Sequence, residues 1–257
     1  MIIFVVENYL MISYPNAKIN IGLDILNRRD DGYHNISSIF YPVMSFTDIL
    51  EIKKSNNFLF SSSGKKIINN NICVKAFNLF KKEFDIPNVK IHLHKRIPIC
   101  SGLGGGSSDA SFTLKMLNDL FNLNLTNQQL KSYALMIGAD CPFFIENKPM
   151  LVEGIGEKLN NIKLNLDSYE IKVYCSDIQV STAKAYSLIK SFEDSNLRCN
   201  IKKPISTWQT NISNKFEKSI FQLYPELREK KKKFIEEGAL YCSMSGTGSS
   251  IYAIFRK

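Results

Sequence analysis

The chain has 257 residues, of which 44% are hydrophobic and 22% are charged, so its composition is that of a folded protein with a sizeable core. Its 33 lysines and arginines outnumber 24 aspartates and glutamates, which leaves a formal net charge of +9. That excess would suit nucleic acid or an anionic substrate, but lysine, asparagine and isoleucine are frequent throughout, and a general compositional bias explains it more simply.

The apolar start of the chain is too short to span a membrane, because Glu7 and Asn8 interrupt it. It also lacks the basic segment of a signal peptide. The six cysteines form no Cys-x-x-Cys pair, which favours reduced thiols. We therefore expect a cytoplasmic protein without a membrane-spanning segment.

The first 60 residues predict strands joined by turns. Strand-like segments occupy 17–26, 35–43 and 48–54, and the cluster RRDDGYH predicts a turn between the first two. On the first strand, Lys18 and Asn20 share one face, opposite apolar neighbours. A lone lysine on a strand is usually solvated, so this pair is by itself a weak signal of function.

The segment 71–84 has helical spacing, and a half-buried strand follows at 89–98, where apolar and polar residues alternate. Two histidines, His92 and His94, lie on the polar side of that strand. No third ligand is near them in sequence, so a solvated strand face is favoured over a metal site.

A run rich in glycine and serine, GLGGGSS at 102–108, follows this strand. It leads into a helix with apolar residues at four- and three-residue steps from Ala110 to Phe121. Backbone amides at such a helix start attract anions, and glycines let a phosphate approach closely. The run has neither the Gly-Lys-Ser/Thr of a Walker A motif nor the spacing of a dinucleotide loop. We predict a phosphate-binding loop; the alternative is a flexible connector.

The next helix is predicted to begin with a capping box formed by Thr126 and Gln129 and to end at Gly138. Asp140 follows in the motif GADCPFF, inside an otherwise apolar stretch. Because an unpaired buried carboxylate is costly, Asp140 is either hydrogen-bonded or functional. Taken alone, a turn-capping role is the simpler interpretation.

From about residue 148 a second series of predicted strands and helices begins. The lysine run 230–233 lies on an amphipathic helix and is expected to face solvent. Strands and helices that are segregated, and not strictly alternating, predict an α+β architecture in two parts. The predicted elements are strands at 149–154 and 169–177, helices at 182–192 and 225–238, and a strand–turn–strand at 239–255.

Four motifs indicate a protein family more specifically in combination than alone: PNAKIN at 15–20, PICSGLGGGSSDA at 98–110, GADCPFF at 138–144 and SGTGSS at 245–250. With these motifs in this order, the chain resembles the GHMP kinases, a superfamily that includes galactokinase, homoserine kinase and mevalonate kinase. The resemblance implies a two-domain α+β fold. An N-terminal mixed-sheet domain with helices would span 1–155, and a smaller C-terminal α/β sandwich would span 156–257. Relatives usually continue with another helix and strand, so we expect an abbreviated C-terminal half.

The resemblance implies transfer of the γ-phosphoryl group of ATP to a hydroxyl group, with Mg²⁺ bridging phosphate oxygens and no dedicated protein metal site. Asp140 matches the catalytic aspartate of the family. Lys18 matches the lysine that pairs with it and offsets charge on the phosphoryl oxygens. Asp109 is an unexplained departure, because an acidic residue stands close to the phosphates. The phosphates of ATP would bind along Pro98, Ile99, Cys100, Ser101, Gly102, Leu103, Gly104, Gly105, Gly106, Ser107 and Ser108.

The turn Asp-Gly-Tyr-His at 31–34 limits which acceptor substrate the resemblance implies. Within the superfamily it is typical of the member that phosphorylates the 2-hydroxyl of 4-diphosphocytidyl-2-C-methyl-D-erythritol in non-mevalonate isoprenoid precursor biosynthesis. Tyr33, His34 and Tyr186 would hold the cytidine, although Tyr186 could equally be a helix core residue. Further substrate contacts are expected from Asn20, Thr182, Gly246, Thr247 and Gly248.

Two alternatives stay open at this point. Another small-molecule kinase of the superfamily, acting on homoserine or phosphomevalonate, would lack the Asp-Gly-Tyr-His turn. A nucleic-acid-binding protein would interleave aromatic and basic residues on a sheet face, and no such stripe is present in the sequence. We therefore expect a small-molecule substrate, no nucleic-acid or membrane partner, and a monomer or homodimer.

Overall fold

The structure, a computed structural model, describes residues 2–5, 10–65 and 71–257. Glu7 and Asn8, which interrupt the apolar start of the sequence, lie outside the described residues. Within those ranges, no helix combines the length and the apolarity that crossing a membrane requires. The chain divides into two compact units, and each is made of several chain segments. The predicted division at residue 155 stays a prediction.

Unit 1 comprises Met1–Ala17, Pro42–Ile99 and Gly104–Lys148. Its described strands form one sheet in the order β1-β2-β5-β7-β6, antiparallel except for the β6–β7 pair. Helices pack on this sheet. The elements are β1 (Ile2–Val5), β2 (Leu10–Ser13), β5 (Ile49–Lys54), β6 (Leu59–Gly64), α1 (Ile72–Phe84), β7 (Val89–Lys95), α2 (Gly105–Leu120), α3 (Asn127–Ile137) and α4 (Cys141–Glu146).

The core of unit 1 lies between that sheet and α2, against which α1 packs. Leu50 and Ile52 of β5 are fully buried, as is Leu93 of β7. The predicted apolar stripe of α2 is confirmed, because Leu114 and Leu117 are also completely buried. The inward face of the sheet and the inward stripe of the helix therefore hold the glycine-rich loop between two well-packed elements.

Unit 2 comprises Lys18–Tyr41, Cys100–Leu103 and Pro149–Lys257. Its described part contains a sheet in the order β3-β4-β8-β9 and a second sheet in the order β10-β12-β11. The strands are β3 (Asn16–Arg28), β4 (His34–Thr47), β8 (Met150–Gly154), β9 (Lys158–Asn161), β10 (Tyr169–Tyr174), β11 (Tyr241–Met244) and β12 (Ile251–Arg256). The helices are α5 (Thr182–Ser187), α6 (Leu197–Asn200), α7 (Trp208–Asn211), α8 (Glu217–Leu223) and α9 (Pro225–Glu236), with a 3-10 turn at Ile205–Thr207.

The core of unit 2 joins β3 to the C-terminal sheet. Leu23 and Ile25 of β3 pack in one cluster with Phe216, Met244 and Ile251. This contact gives the first long strand of the chain a hydrophobic partner near the C-terminus. The α+β class with mixed sheets and helices, expected from the sequence, is confirmed.

Local signals for helix ends were reliable. The Asn71 side chain accepts a hydrogen bond from the Cys73 amide at 2.7 Å, and the Thr126–Gln129 capping box is present. Gly138 ends α3 as predicted, but in an extended conformation and not the left-handed one common at helix ends. The helix predicted at 182–192 is shorter, since α5 ends at Ser187.

The lysine run 230–233 is only partly solvated, contrary to the expectation. The Lys230 ammonium lies over the rings of Tyr174 and Phe234, and Lys231 forms an ion pair with Glu217 at 2.6 Å. Long lysine stems can cover apolar surface while their charges stay near water or a counter-charge. The periodicity gave the helix correctly but not the partners of its charged face.

Candidate active site

The glycine-rich loop connects β7 to α2 through a backbone that alternates in handedness. Cys100, Gly102 and Gly104 have positive φ values of 56°, 78° and 69°. Alternation of right- and left-handed residues turns successive amide groups toward one side and forms an anion-binding concavity. The loop thus has the local geometry that a phosphate group requires.

Helix α2 begins at Gly105 without a side-chain cap, because its N-cap residue is Gly104. The first amides of a helix lack intrahelical partners and carry the positive end of the helix dipole. Ser108 adds a hydroxyl that is fully buried and has no hydrogen-bond partner among the residues the structure describes. A buried polar atom of this kind calls for a partner, and a bound phosphate or its metal ion would supply one.

Asp140 stands directly before α4, next to the start of α2. Its side chain makes no cap hydrogen bond to α4. The predicted turn-capping role of Asp140 stays a prediction. The Ser111 hydroxyl donates to the Cys141 carbonyl at 2.7 Å, and the Ser107 hydroxyl bonds the Cys141 sulfur. Burial raises the pKa of the Cys141 thiol to about 12, which keeps it protonated. These contacts fix the Asp140 turn against α2 within unit 1.

Lys18 is buried, with 3% of its surface exposed, so the solvated interpretation of this lysine is wrong. Its ammonium donates to the Gly102 carbonyl at 3.1 Å and to the Asn20 side-chain oxygen. The same group lies 4.5 Å from the centre of the Phe40 ring. A charge held by an amide, a carbonyl and an aromatic face has a fixed position, which suits a role in charge stabilisation.

Asn20 holds Lys18 in place. Its amide nitrogen donates to the Ser38 hydroxyl at 2.9 Å, while its oxygen accepts from Lys18. Both groups of the side chain therefore already have protein partners. The sequence predicted a substrate contact for Asn20; that role stays a prediction, and the structure adds a supporting one.

Within unit 2, the segment 100–103 contacts the glycine turn at 245–250. The Ser245 hydroxyl donates to the Gly102 carbonyl at 2.7 Å, and the Ser250 amide donates to the Ser101 carbonyl at 3.1 Å. A Cβ atom added to Gly102 would stand 2.0 Å from the Ser245 carbonyl oxygen, so only glycine fits there. Gly246 and Gly248 have positive φ values of 56° and 95°.

Two of the three residues predicted to hold a cytidine ring are in contact within unit 2. The rings of His34 and Tyr186 are stacked, with centroids 5.0 Å apart and planes 25° apart. Burial, with a smaller effect of Arg28, lowers the pKa of His34, which favours its neutral form. Tyr33 is 61% exposed, while Thr182 is exposed at the start of α5. Tyr186 also packs edge-on against Phe216, 4.9 Å away, so it serves the core as well.

Two features, one in each unit, were not predicted from the sequence. Phe192, which is 44% exposed, lies 6.0 Å from the His34 ring. In unit 1, Lys95 is buried between Asp48 and Asp109. Every second residue of β7, from Val89 to Lys95, is buried, so strict alternation along the strand would have predicted the burial of Lys95.

The comparisons with known proteins identify the family of the chain. Residues 71–148 match the family model of the GHMP kinase N-terminal domain, and residues 201–257 match that of the GHMP kinase C-terminal domain. The 4-diphosphocytidyl-2-C-methyl-D-erythritol kinase of Bacteroides fragilis is 46% identical over 95% of this chain and 92% of its own length. The chain belongs to the 4-diphosphocytidyl-2-C-methyl-D-erythritol kinases.

Other members of this kinase family are equally similar. The 4-diphosphocytidyl-2-C-methyl-D-erythritol kinase of Azobacteroides pseudotrichonymphae is 45% identical, over 96% of this chain and 94% of its own. A crystal structure of 4-(cytidine 5'-diphospho)-2C-methyl-D-erythritol kinase superposes with a TM-score of 0.82 at 28% identity, covering 95% of this chain and 90% of that one. The GHMP kinase fold expected from the sequence is thereby confirmed.

Membership of this kinase family makes ATP the phosphoryl donor and the chain a phosphotransferase. Within the described ranges, no group of three histidine, cysteine, aspartate or glutamate side chains could hold a metal ion.

Proposed function

We propose that this protein transfers the γ-phosphoryl group of ATP to the 2-hydroxyl group of 4-diphosphocytidyl-2-C-methyl-D-erythritol, a step of non-mevalonate isoprenoid precursor biosynthesis. The observation that carries the proposal is similarity to kinases of that name over nearly the whole chain. The stacked His34 and Tyr186 rings support the cytidine end of the substrate. Membership of this family also favours it over the homoserine and phosphomevalonate alternatives.

Phosphoryl transfer requires mainly positioning and charge stabilisation. In our proposal the Asp140 carboxylate orients the acceptor hydroxyl and accepts its proton. That hydroxyl is a tertiary alcohol and very weakly acidic, so its proton leaves late, as the bond to phosphorus forms. Orientation by Asp140 then contributes more than its basicity.

Lys18 offsets the negative charge that grows on the transferred group. Its support is the buried setting on β3, where Asn20 and the Gly102 carbonyl fix the ammonium. The predicted pairing of Lys18 with Asp140 stays a prediction.

Mg²⁺ fits the loop as a partner of ATP. The Ser108 hydroxyl, which has no partner among the described residues, would complete its coordination shell together with the Ser107 hydroxyl beside it in α2. The ion would supply neutralisation of the phosphate charges.

The acceptor's cytidine would lie against Tyr33, His34 and Tyr186, since aromatic faces stack on bases. Thr182 and Asn20 would bond its polyol or diphosphate, and the turn at 246–248 would close over it. We further propose that the enzyme acts in the cytoplasm, as a monomer or a homodimer, on this small molecule.

The test is an ADP-release assay with three acceptors side by side: the cytidine diphosphate methylerythritol compound, homoserine and phosphomevalonate. We expect turnover only with the first. Phosphorylation of homoserine or phosphomevalonate in preference to it would overturn the proposal. Tight RNA binding without kinase turnover would instead favour the nucleic-acid alternative.

A further inference from the structure

A cluster of three ionisable side chains lies buried in unit 1, outside the residues discussed for the reaction. The Lys95 ammonium is 2.5 Å from an Asp48 carboxylate oxygen and 2.7 Å from an Asp109 carboxylate oxygen. The side chains of all three are at most 3% exposed. Asp48 comes just before β5, Lys95 ends β7, and Asp109 lies in the second turn of α2.

The cluster ties the start of the loop to its end. The second Asp48 oxygen accepts hydrogen bonds from the Arg96 and Ile97 amides, at 2.6 Å and 2.9 Å, where the chain leaves β7. On the other side, Asp109 belongs to the helix that begins at Gly105. Through Lys95 the two carboxylates therefore join the strand before the loop to the helix after it.

The Lys95 ammonium also touches the first residue of α2. A Cβ atom built on Gly105 would lie 2.9 Å from the Lys95 nitrogen and 2.7 Å from Ile97 Cγ2. The inner side of Gly105 is thus in contact with Lys95. The ammonium therefore packs against the residue whose amide opens the helix.

Burial and the neighbouring charges shift the pKa values of Lys95 and Asp109. Although burial opposes it, attraction to Asp109 and Asp48 raises the pKa of Lys95, which stays positive. Burial raises the pKa of Asp109, while attraction to Lys95 opposes that shift. The Asp48 carboxylate accepts hydrogen bonds from three N–H donors. The Lys95 ammonium therefore stands between the two carboxyl groups as a fixed positive charge.

Stability alone does not account for this arrangement. Buried ion pairs seldom stabilise a fold more than apolar residues of similar size, because desolvation cancels most of their attraction. One oxygen of Asp109 has no hydrogen-bond partner in the described part of the chain, which is a further cost. What the cluster does provide is a fixed geometry beneath the loop.

We infer that Lys95 is a positioning residue for ATP: clamped between Asp48 and Asp109, it sets the position of Gly105, and with it the first-turn amides of α2 that bind the phosphates. The inference rests on the proposed function of the loop. It assigns Asp109 to the support beneath the loop and not to the ligand.

The test is calorimetric titration of the full-length protein with ATP in the presence of Mg²⁺. We expect Lys95→Met to raise the Kd for ATP at least about tenfold, because Gly105 loses its support. In steady-state assays the KM for ATP should rise while the KM for the acceptor stays within about twofold. If the single variant does not fold, Lys95→Met combined with Asp109→Asn removes the carboxylate left without a partner and is titrated in its place.

The matched control is Lys131→Met, in the same unit. Lys131 pairs with Glu146 at 2.6 Å, and Glu146 keeps a second partner, Lys148, after the change. This variant should leave the Kd for ATP unchanged. Lower stability with an unaltered Kd for ATP in the Lys95 variants would overturn the inference and leave a purely structural cluster. Absence of ATP binding by the unaltered protein would instead overturn the proposed function.

Discussion

At the scale of single residues, the two candidate catalytic side chains differ in how they are held. Lys18 is buried within a network that includes Asn20 and the Gly102 carbonyl. Asp140 is only half-buried, at the junction of α3 and α4, and does not cap the helix that follows it. A half-buried carboxylate at this turn suits a group that must reach a hydroxyl on a ligand.

Asp140→Asn should lower kcat at least about 100-fold, with a modest effect on the KM for ATP, because the neutral amide orients the acceptor hydroxyl less firmly than a carboxylate and cannot take up its proton. Steady-state assays with varied ATP and acceptor measure both constants. Asp85→Asn is the matched control, since the Asp85 side chain is fully exposed. Near-normal turnover of the Asp140 variant would remove this residue from its role.

Lys18→Ala should also reduce kcat at least about 100-fold, because the charge on the transferred group would lose its counter-charge. Single-turnover kinetics separate this effect from product release. The Asn20 oxygen and the Gly102 carbonyl lose a donor in this variant, so its fold is checked by circular dichroism. A folded variant that keeps its single-turnover rate would contradict the assignment.

At the scale of elements, the start of α2 is closely packed on the side that faces β7. Gly105 faces Lys95 and Ile97, whereas a Cβ atom on Gly106 would find its nearest neighbour, Ile72 Cγ2, at 3.9 Å. Packing therefore requires glycine at position 105 but not at position 106.

Gly105→Ala should lower the free energy of unfolding by about 1–3 kcal/mol, because the added methyl group overlaps its neighbours. Gly106→Ala should raise it by up to about 1 kcal/mol, since alanine is the better helix former. Urea titration of both variants gives the comparison. Equal effects of the two substitutions would contradict the packing described for Gly105.

The sequence predicted these elements well where a local signal existed. The Thr126–Gln129 capping box and the stripe of α2 depend on residues close in the chain, and both are confirmed. The burial of Lys18 could not be predicted, because it depends on Gly102, more than 80 positions away. Asp109 stayed unexplained for the same reason, since its partner Lys95 lies on another element.

At the scale of the molecule, both units carry part of the predicted machinery. Unit 1 contains the start of α2, Asp140 and the Lys95 cluster, and unit 2 contains Lys18, the second glycine turn and the stacked rings. The two family models fall on regions in different units, and the curated relatives align over more than nine-tenths of the chain. The net charge of +9 suits two anionic ligands, although the identity of the enzyme does not depend on it.

The central claim is that phosphate is transferred to the 2-hydroxyl of the methylerythritol unit. The carbon that bears this hydroxyl carries a methyl group and no hydrogen, so a phosphate on it has no three-bond coupling to a proton. The proton-coupled phosphorus NMR spectrum of the reaction product is therefore decisive. We predict a new phosphomonoester singlet beside the two diphosphate signals. A doublet or a triplet, from transfer to a CH–OH or CH₂–OH group, would contradict the account.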